Sequence, residues 1–432
     1  MPNVAVASAG GASETSQTYK GALAIVTSLF FMWGFVTVLN DILVPHLKAI
    51  FDLSYAKVML IQFAFFSAYF VFSMPSARLI DRVGYKRTMV VGLMTMGAGA
   101  LLFLPAASAA SYVLFLGALM VLAAGITALQ VAANPYVAVL GPEKTGSSRL
   151  NLTQAFNSFG TMIGPYLGGL LILSANPKTP EELQQMPAAA LQAYRVQEAS
   201  SVKLPYLLIG IALILLGIVI GMIKLPAMPH AERHGETGPG TSLWNCRHLV
   251  LGAIGIFVYV GAEVSIGSFL INYFTQKNIG NISEVAAAGF VSYYWGGAMV
   301  GRFIGSAILQ KLETRVVLGI AAAAAGTLVV TSMLTSGHVA MWSIILVGFF
   351  NSVMFPSIFT LGIAKLGPLT GDGSGILIMD IVGGAIIPVL QGVLADRVGI
   401  HHAFVLPVVC YLYIFYYALR GSKPSGPGIT VA

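Results

Sequence analysis

The chain has 432 residues, 57% hydrophobic and only 9% charged, where soluble domains carry about 25% charged residues. A mean hydropathy of +0.83 with long unbroken apolar runs excludes a soluble globular protein, and it excludes an outer-membrane barrel, whose strands alternate in polarity over about 10 residues. The net charge of +7 does not mark a nucleic-acid partner, because most Lys and Arg fall in alternate inter-span loops, the signature of membrane orientation.

Residues 1–20 are small and polar, which predicts a disordered cytoplasmic tail; a cleavable signal peptide would need a basic start and a short apolar core. About 20 apolar residues cross a hydrocarbon core, and twelve such spans follow, near 22–46, 58–80, 87–107, 112–138, 150–174, 204–224, 248–274, 285–308, 315–335, 340–364, 374–395 and 402–420. The fold class is all-α integral membrane. Residues 21–224 form an N-terminal six-helix bundle, 225–247 a cytoplasmic linker, 248–420 a C-terminal six-helix bundle and 421–432 a cytoplasmic tail. The polar insertion NPKTPEELQQMPAAALQAYRVQEASS between spans five and six predicts a short surface helix. The Lys/Arg bias places both termini in the cytoplasm. Cys246 and Cys410 have no metal or redox spacing.

The two halves repeat. Arg78 matches Arg302; Gln130 and Pro135 match Asn351 and Pro356; Asn157, Gly160 and Pro165 match Asp380, Gly383 and Pro388, all at nearly constant offset. Duplicated bundles of this kind are a common transporter architecture.

An ionised side chain inside a membrane costs at least a few kcal/mol, so it is expected to face a cavity and act there. Asp41, Glu263 and Asp380 meet that condition. Desolvation favours a neutral acid, and wetting or a cation favours the charged form, so alternating exposure loads and releases a proton. The sequence offers no intramembrane Arg or Lys as an evident partner for these acids. At about 1.5 Å per residue Asp41 lies toward the outer end of the first span, where the competing reading is a solvated interfacial acid. Glu263 has the competing reading of a permanently protonated acid that packs helices, and Asp380 is the weaker candidate because it falls only a few residues inside span eleven.

Neutral amides supply donors and acceptors for hydroxyls without a buried charge. Asn151, Gln154 and Ser158 share one helical face of span five, and Thr127, Gln130 and Asn134 share one of span four. Asn351, as the repeat mate of Gln130, is expected to point to the shared axis; Asn40 and Asn157 complete the amide set. Interhelical hydrogen bonding is the competing role, worth about 0.6 kcal/mol per pair, and Asn134, just before a proline, is placed to satisfy freed backbone groups. Trp33 shares a face with Asp41, and Tyr259 with Glu263, as aromatic platforms.

FFMWGFVTVLNDILVPHLK, LQVAANPYVAVLGPE, SSRLNLTQAFNSFG and YVGAEVSIGSF resemble the major facilitator superfamily, within it the fucose:proton symporter family and its bacterial glucose/galactose transporter branch. RLIDRVGYKR at 78–87 resembles the superfamily's loop between spans two and three, with Ala77 where that motif usually has Gly. The resemblance implies a twelve-helix carrier that imports a monosaccharide with a proton by alternating access, and it gives Asp81, Arg82, Gly84, Lys86 and Arg87 a gating role. Fucose transporters of this family pair the first-span acid with a Glu in span four. Here Gln130 occupies that place, and Glu263 in span seven stands where the fucose branch has a neutral amide, as though the second carboxylate had moved.

The expected partners are a sugar and the lipid bilayer, with no nucleic acid, no obligatory protein partner, no metal and no cofactor. The expected location is the bacterial inner membrane. A sodium-coupled hexose symporter and an uncoupled uniporter are the alternatives within transport. A polytopic membrane enzyme is disfavoured: His46, His230, His234, His248, His338, His401 and His402 all lie at span ends or in loops, and no catalytic motif is present.

Overall fold

The computed structural model describes residues 10–51, 55–172, 182–183, 185–226 and 243–424. Helix α1 covers Gly10–Phe51, so its first turns occupy part of the segment expected to be an unstructured tail. Spans two and three form α2, Tyr55–Ser108, bent at Gly84. After α3 (Tyr112–Val139) and α4 (Gly146–Ile172), the expected surface helix is present as α5 (Ala188–Ser200), and α6 (Lys203–Met222) closes the first bundle. The second bundle begins with α7 (Arg247–Phe274), α8 (Glu284–Ile308) and α9 (Thr314–Leu334).

Spans ten and eleven, expected as continuous helices, are each broken. Span ten divides into α10 (Gly337–Asn351) and α11 (Met354–Gly362), because Pro356 has no N–H to give the Ser352 carbonyl one turn earlier. Span eleven divides into α12 (Thr370–Met379) and α13 (Gly383–Val398) around a 3₁₀ turn at Asp380–Val382, next to the Gly383–Gly384 pair. The short α14 (Ile400–Ala403) and then α15 (Val405–Tyr416) complete the second bundle.

Among the described residues nine stretches qualify as spans by length and hydropathy, with Phe63–Ser108 joining two of them. Helices α4 and α8 do not qualify, because Asn, Gln, Ser, Gly and Arg dilute their apolar residues. These two polar helices pack against each other across the bundles, as α12 does against α2 and α3.

The repeat read from the sequence reappears as packing. A Cβ at Gly160 of α4 would lie 2.3 Å from the Phe31 carbonyl oxygen of α1, and one at Gly383 of α13 would lie 2.0 Å from that of Phe257 on α7. Small residues let helices approach this closely without a hydrophobic force between them. The sequence Asp-Arg-Val-Gly also occurs twice, at 81–84 and 396–399. Gly84 (φ 85°, ψ 165°) and Gly399 (φ 84°, ψ 154°) adopt nearly the same backbone, in a region essentially open only to glycine.

One end of the molecule gathers the loop after span two, the α3–α4 turn and the end of α6. Lys86 Nζ donates to the Gly221 carbonyl at 2.8 Å, Tyr136 Oη donates to the Pro226 carbonyl at 3.0 Å, and Asp81 lies against Gly371 at the start of α12. This end is called the basic face below. Hydrogen bonds tie the bundles together from this face to mid-membrane. Ser147 Oγ meets Thr314 Oγ1 at 2.9 Å and Thr360 Oγ1 at 2.5 Å, and Ser148 Oγ donates to the Ser306 carbonyl at 2.7 Å. Ser374 Oγ of α12 donates to the Val131 carbonyl of α3 at 2.8 Å. That carbonyl is the acceptor that Pro135 leaves free, so a break in one bundle supplies the docking point for the other.

Candidate functional site

A cavity of about 170 Å³ lies between the bundles. The first bundle lines it with Trp33, Thr37, Tyr69, Gln130, Gln154, Asn157 and Thr161; the second with Tyr259, Val260, Glu263, Arg302, Phe355, Pro356 and Ile381. The chemistry divides the same way. The first bundle contributes the amides and the second contributes the acid and the base, while aromatic rings come from both, Trp33 and Tyr69 on one side and Tyr259 and Phe355 on the other.

Helical spacing places these groups. Gln154, Asn157 and Thr161 fall on one face of α4. Asn157 Nδ2 donates to the Phe30 carbonyl at 3.0 Å, which fixes the amide and leaves its oxygen available. Gln130 Nε2 donates to Tyr69 Oη at 2.8 Å. Gln154 Nε2 reaches Asn134 Oδ1 at 3.5 Å, a long contact. Among the described residues Thr37 Oγ1 has no hydrogen-bond partner. Trp33 is packed at 4.1 Å between ring centroids on Phe30, which holds the indole in place on the cavity wall.

On α7, one turn separates Tyr259 from Glu263, and the Tyr259 hydroxyl lies 2.8 Å from Glu263 Oε1 and 3.1 Å from the Asn351 carbonyl. A phenol has one proton to give and can accept another. An ionised Glu263 therefore accepts from Tyr259; a protonated Glu263 donates to Tyr259, which then donates to Asn351. Glu263 and Tyr259 stay hydrogen-bonded in either state, and the phenol proton moves from the Asn351 carbonyl to the carboxylate when Glu263 ionises.

The structure gathers Trp33, Gln130, Gln154, Asn157, Tyr259 and Glu263 from the sequence-predicted set into this cavity. Asn351 is not among the lining residues: its Nδ2 donates to Tyr294 Oη at 2.9 Å, and its Oδ1 accepts from Tyr411 at 2.8 Å, so its side chain is spent inside the second bundle. Asn151 and Asn134 are also buried off the cavity. Asn151 Nδ2 donates to the Arg302 carbonyl at 2.7 Å, and the Asn134 Nδ2 is unpartnered. The carbonyl freed by Pro135 is taken by Ser374 rather than by Asn134. Asp380 sits half-buried at the break in span eleven, where its neighbour Ile381 reaches the cavity wall. Asp41 and Asn40 lie on α1, but their side chains are outside the described residues. In the gating loop Gly84 makes the bend and Lys86 caps α6, with Asp81 toward α12 and Arg82 and Arg87 exposed.

One expectation is corrected. The sequence suggested no intramembrane cation near the acids, with Arg302 read only as the repeat mate of Arg78. Arg302 is half-buried within α8 and lines the cavity together with Glu263, while Arg78 is exposed. A single charge in the stretch GGAMVGRFIGSAI was the available signal. Tyr69 was also missed; its amide–phenol pair with Gln130 mirrors that of Tyr294 with Asn351 in the other half.

Two pseudo-symmetric helical bundles around a polar cavity at mid-membrane define a carrier rather than a channel or an enzyme. The description Major Facilitator Superfamily matches residues 23–379. The chain is 52% identical over 413 residues to the glucose/galactose transporter of Brucella abortus biovar 1 (strain 9-941), covering 95% of this chain and 97% of that one. It is 37% identical to the L-fucose-proton symporter of Escherichia coli K12, covering 95% of each. A crystal structure of a Major Facilitator Superfamily transporter, FucP, in the outward conformation superposes with a TM-score of 0.85 at 36% identity, covering 93% of this chain and 98% of that one. The chain belongs to the major facilitator superfamily, in the branch that holds the glucose/galactose transporters and the L-fucose-proton symporters.

Proposed function

We propose that the chain imports a monosaccharide of the glucose/galactose type together with a proton, by alternating exposure of the cavity. The observation that carries this reading is the division of the cavity wall: neutral hydrogen-bonding amides on one bundle, a lone acid with a phenol relay on the other. Pyranose hydroxyls need fixed donors and acceptors, and their C–H faces need apolar surface; Gln130, Gln154, Asn157 and Trp33 supply both. Glu263 carries the coupling proton, with Asp41 of the first span as the acid on the entrance path. Asp380 is a secondary candidate.

The basic face is cytoplasmic, both termini lie there, and the membrane is the bacterial inner membrane; the Lys/Arg bias and the bacterial relatives support this placement. The bundles are closed toward the basic face by the Ser147, Ser148 and Ser374 hydrogen bonds, so this state is the one that loads from outside. No cofactor takes part beyond the co-transported ion.

The test is uptake of glucose or galactose by proteoliposomes under an imposed pH gradient, with and without sodium. Accumulation driven by the pH gradient in sodium-free buffer is the expected result. Dependence on sodium would replace the proton, and exchange indifferent to both ions would leave a uniporter.

A further inference from the structure

We infer that Arg302 is the positioning residue through which the rocking of the bundles governs the proton on Glu263; the inference rests on the proton-coupled reading above. Arg302 and Glu263 belong to the same bundle, on α8 and α7, and are the one base and one acid among the described residues that line the cavity. Yet no ion pair joins them among the described residues. The guanidinium is held by the other bundle instead. Its Nη1 donates to Ser158 Oγ and, at 3.4 Å, to the Gln154 carbonyl, both on α4. Asn151 of α4 donates back to the Arg302 carbonyl at 2.7 Å.

These bonds are strained in their chemistry. A guanidinium has five donors in a rigid fork suited to a carboxylate, and here it meets a hydroxyl and a peptide oxygen while its buried Nε–H has no partner among the described residues. Leaving a buried donor unsatisfied is costly. Tyr259 on its own helix is hydrogen-bonded to Glu263, and the other titratable groups within electrostatic reach of it are Tyr294 and Arg302 on α8 and Tyr411 on α15. From α4 come only neutral side chains, and Asp380 between α12 and α13 stays off the cavity wall. Among the described residues Arg302 is thus the one cation near the acid.

When the bundles part at the basic face, α4 withdraws Ser158 and Gln154 from α8. The guanidinium stays with α8 and turns to Glu263 without any helix of its own bundle moving. An adjacent cation stabilises a carboxylate relative to its acid. The O–H bond of Glu263 breaks, the electron pair stays on the carboxylate oxygen, and the proton passes to water on the cytoplasmic side as the ion pair forms. On the return stroke α4 draws the guanidinium back, its hold on the Glu263 carboxylate weakens, and Glu263 takes a proton from water on the opposite side. The cross-bundle bonds convert a change of shape into loading and release.

The test compares, in proteoliposomes holding the full chain, pH-driven accumulation of radiolabelled galactose with its equilibrium counterflow. For Arg302→Gln the ratio of accumulation to counterflow falls tenfold or more below wild type, and Arg302→Lys, which keeps the charge but loses the fork, recovers part of it. Arg302→Gln shifts the pH dependence of counterflow when Glu263 is present and not in a Glu263→Gln background, the non-additivity of two residues acting as a unit. A wild-type ratio in Arg302→Gln overturns the inference. So does a loss of counterflow in Arg302→Gln with an unshifted pH profile, the mark of a mere structural strap. A wild-type protein that ignores the pH gradient overturns the underlying reading and this inference with it.

Discussion

Gly383→Ala is a sharp test of whether the repeat serves helix packing. The added methyl would sit 2.0 Å from the Phe257 oxygen and 2.7 Å from its carbonyl carbon, where ordinary contact begins near 3.4 Å. The obstacle is backbone, which cannot rotate away, so α7 and α13 must separate by more than an ångström. Overpacking of this kind costs about 1–3 kcal/mol, a fall of several degrees in apparent melting temperature for a chain of this size. Because Phe257 lies half a turn from Tyr259 and less than two turns from Glu263, the same displacement loosens the cavity wall. The control is Gly296→Ala on α8, where an added methyl meets nothing within 4 Å and the better helix propensity of alanine, up to about 1 kcal/mol, leaves stability level or slightly raised. Thermal unfolding in detergent separates the two variants. Equal melting temperatures would refute the reasoning, and Gly160→Ala, with its methyl 2.3 Å from the Phe31 oxygen, is expected to behave as Gly383→Ala does.

Gln130→Leu removes a cavity amide and strands the Tyr69 hydroxyl; losing one buried hydrogen bond costs about 1–3 kcal/mol, so the apparent KM for sugar rises about tenfold, measured by concentration-dependent counterflow. Arg149→Ala strips the end of α3 of donors, since Nε and Nη2 serve the Val137 and Ala138 carbonyls at 3.1 and 2.6 Å and Nη1 serves that of Pro142 at 2.9 Å. A loss of about 2 kcal/mol in stability follows, with Arg149→Lys recovering only part because a single ammonium cannot span the three carbonyls; an unchanged melting temperature for Arg149→Ala would contradict this.

Hydropathy made the twelve spans readable, because a bilayer leaves the backbone few choices beyond helices. The repeat was readable too: Gly160 and Gly383 recur because two pairs of helices cross in the same way. Cavity residues on a single helix face, such as Gln154 and Asn157, or Tyr259 and Glu263, followed from the 3.6-residue period. What one helix does with a side chain of another was not readable. Asn351 has the chemistry and symmetry of a sugar ligand, yet Tyr294 and Tyr411 from two further helices consume its amide. Arg302 matched a loop arginine in the repeat, and only the packing of α8 against α4 puts it inside. The breaks in spans ten and eleven were signalled by Pro356 and by paired glycines, but hydropathy averages over such local features.

The central claim is that sugar enters with a proton carried by Glu263. Its most direct measurement is the pH change outside sodium-free proteoliposomes when galactose is added, for the wild type and for Glu263→Gln. The account predicts alkalinisation with the wild type and none with Glu263→Gln, even where that variant still exchanges galactose. Alkalinisation that persists in Glu263→Gln, or a wild type that moves galactose with no proton, would contradict it.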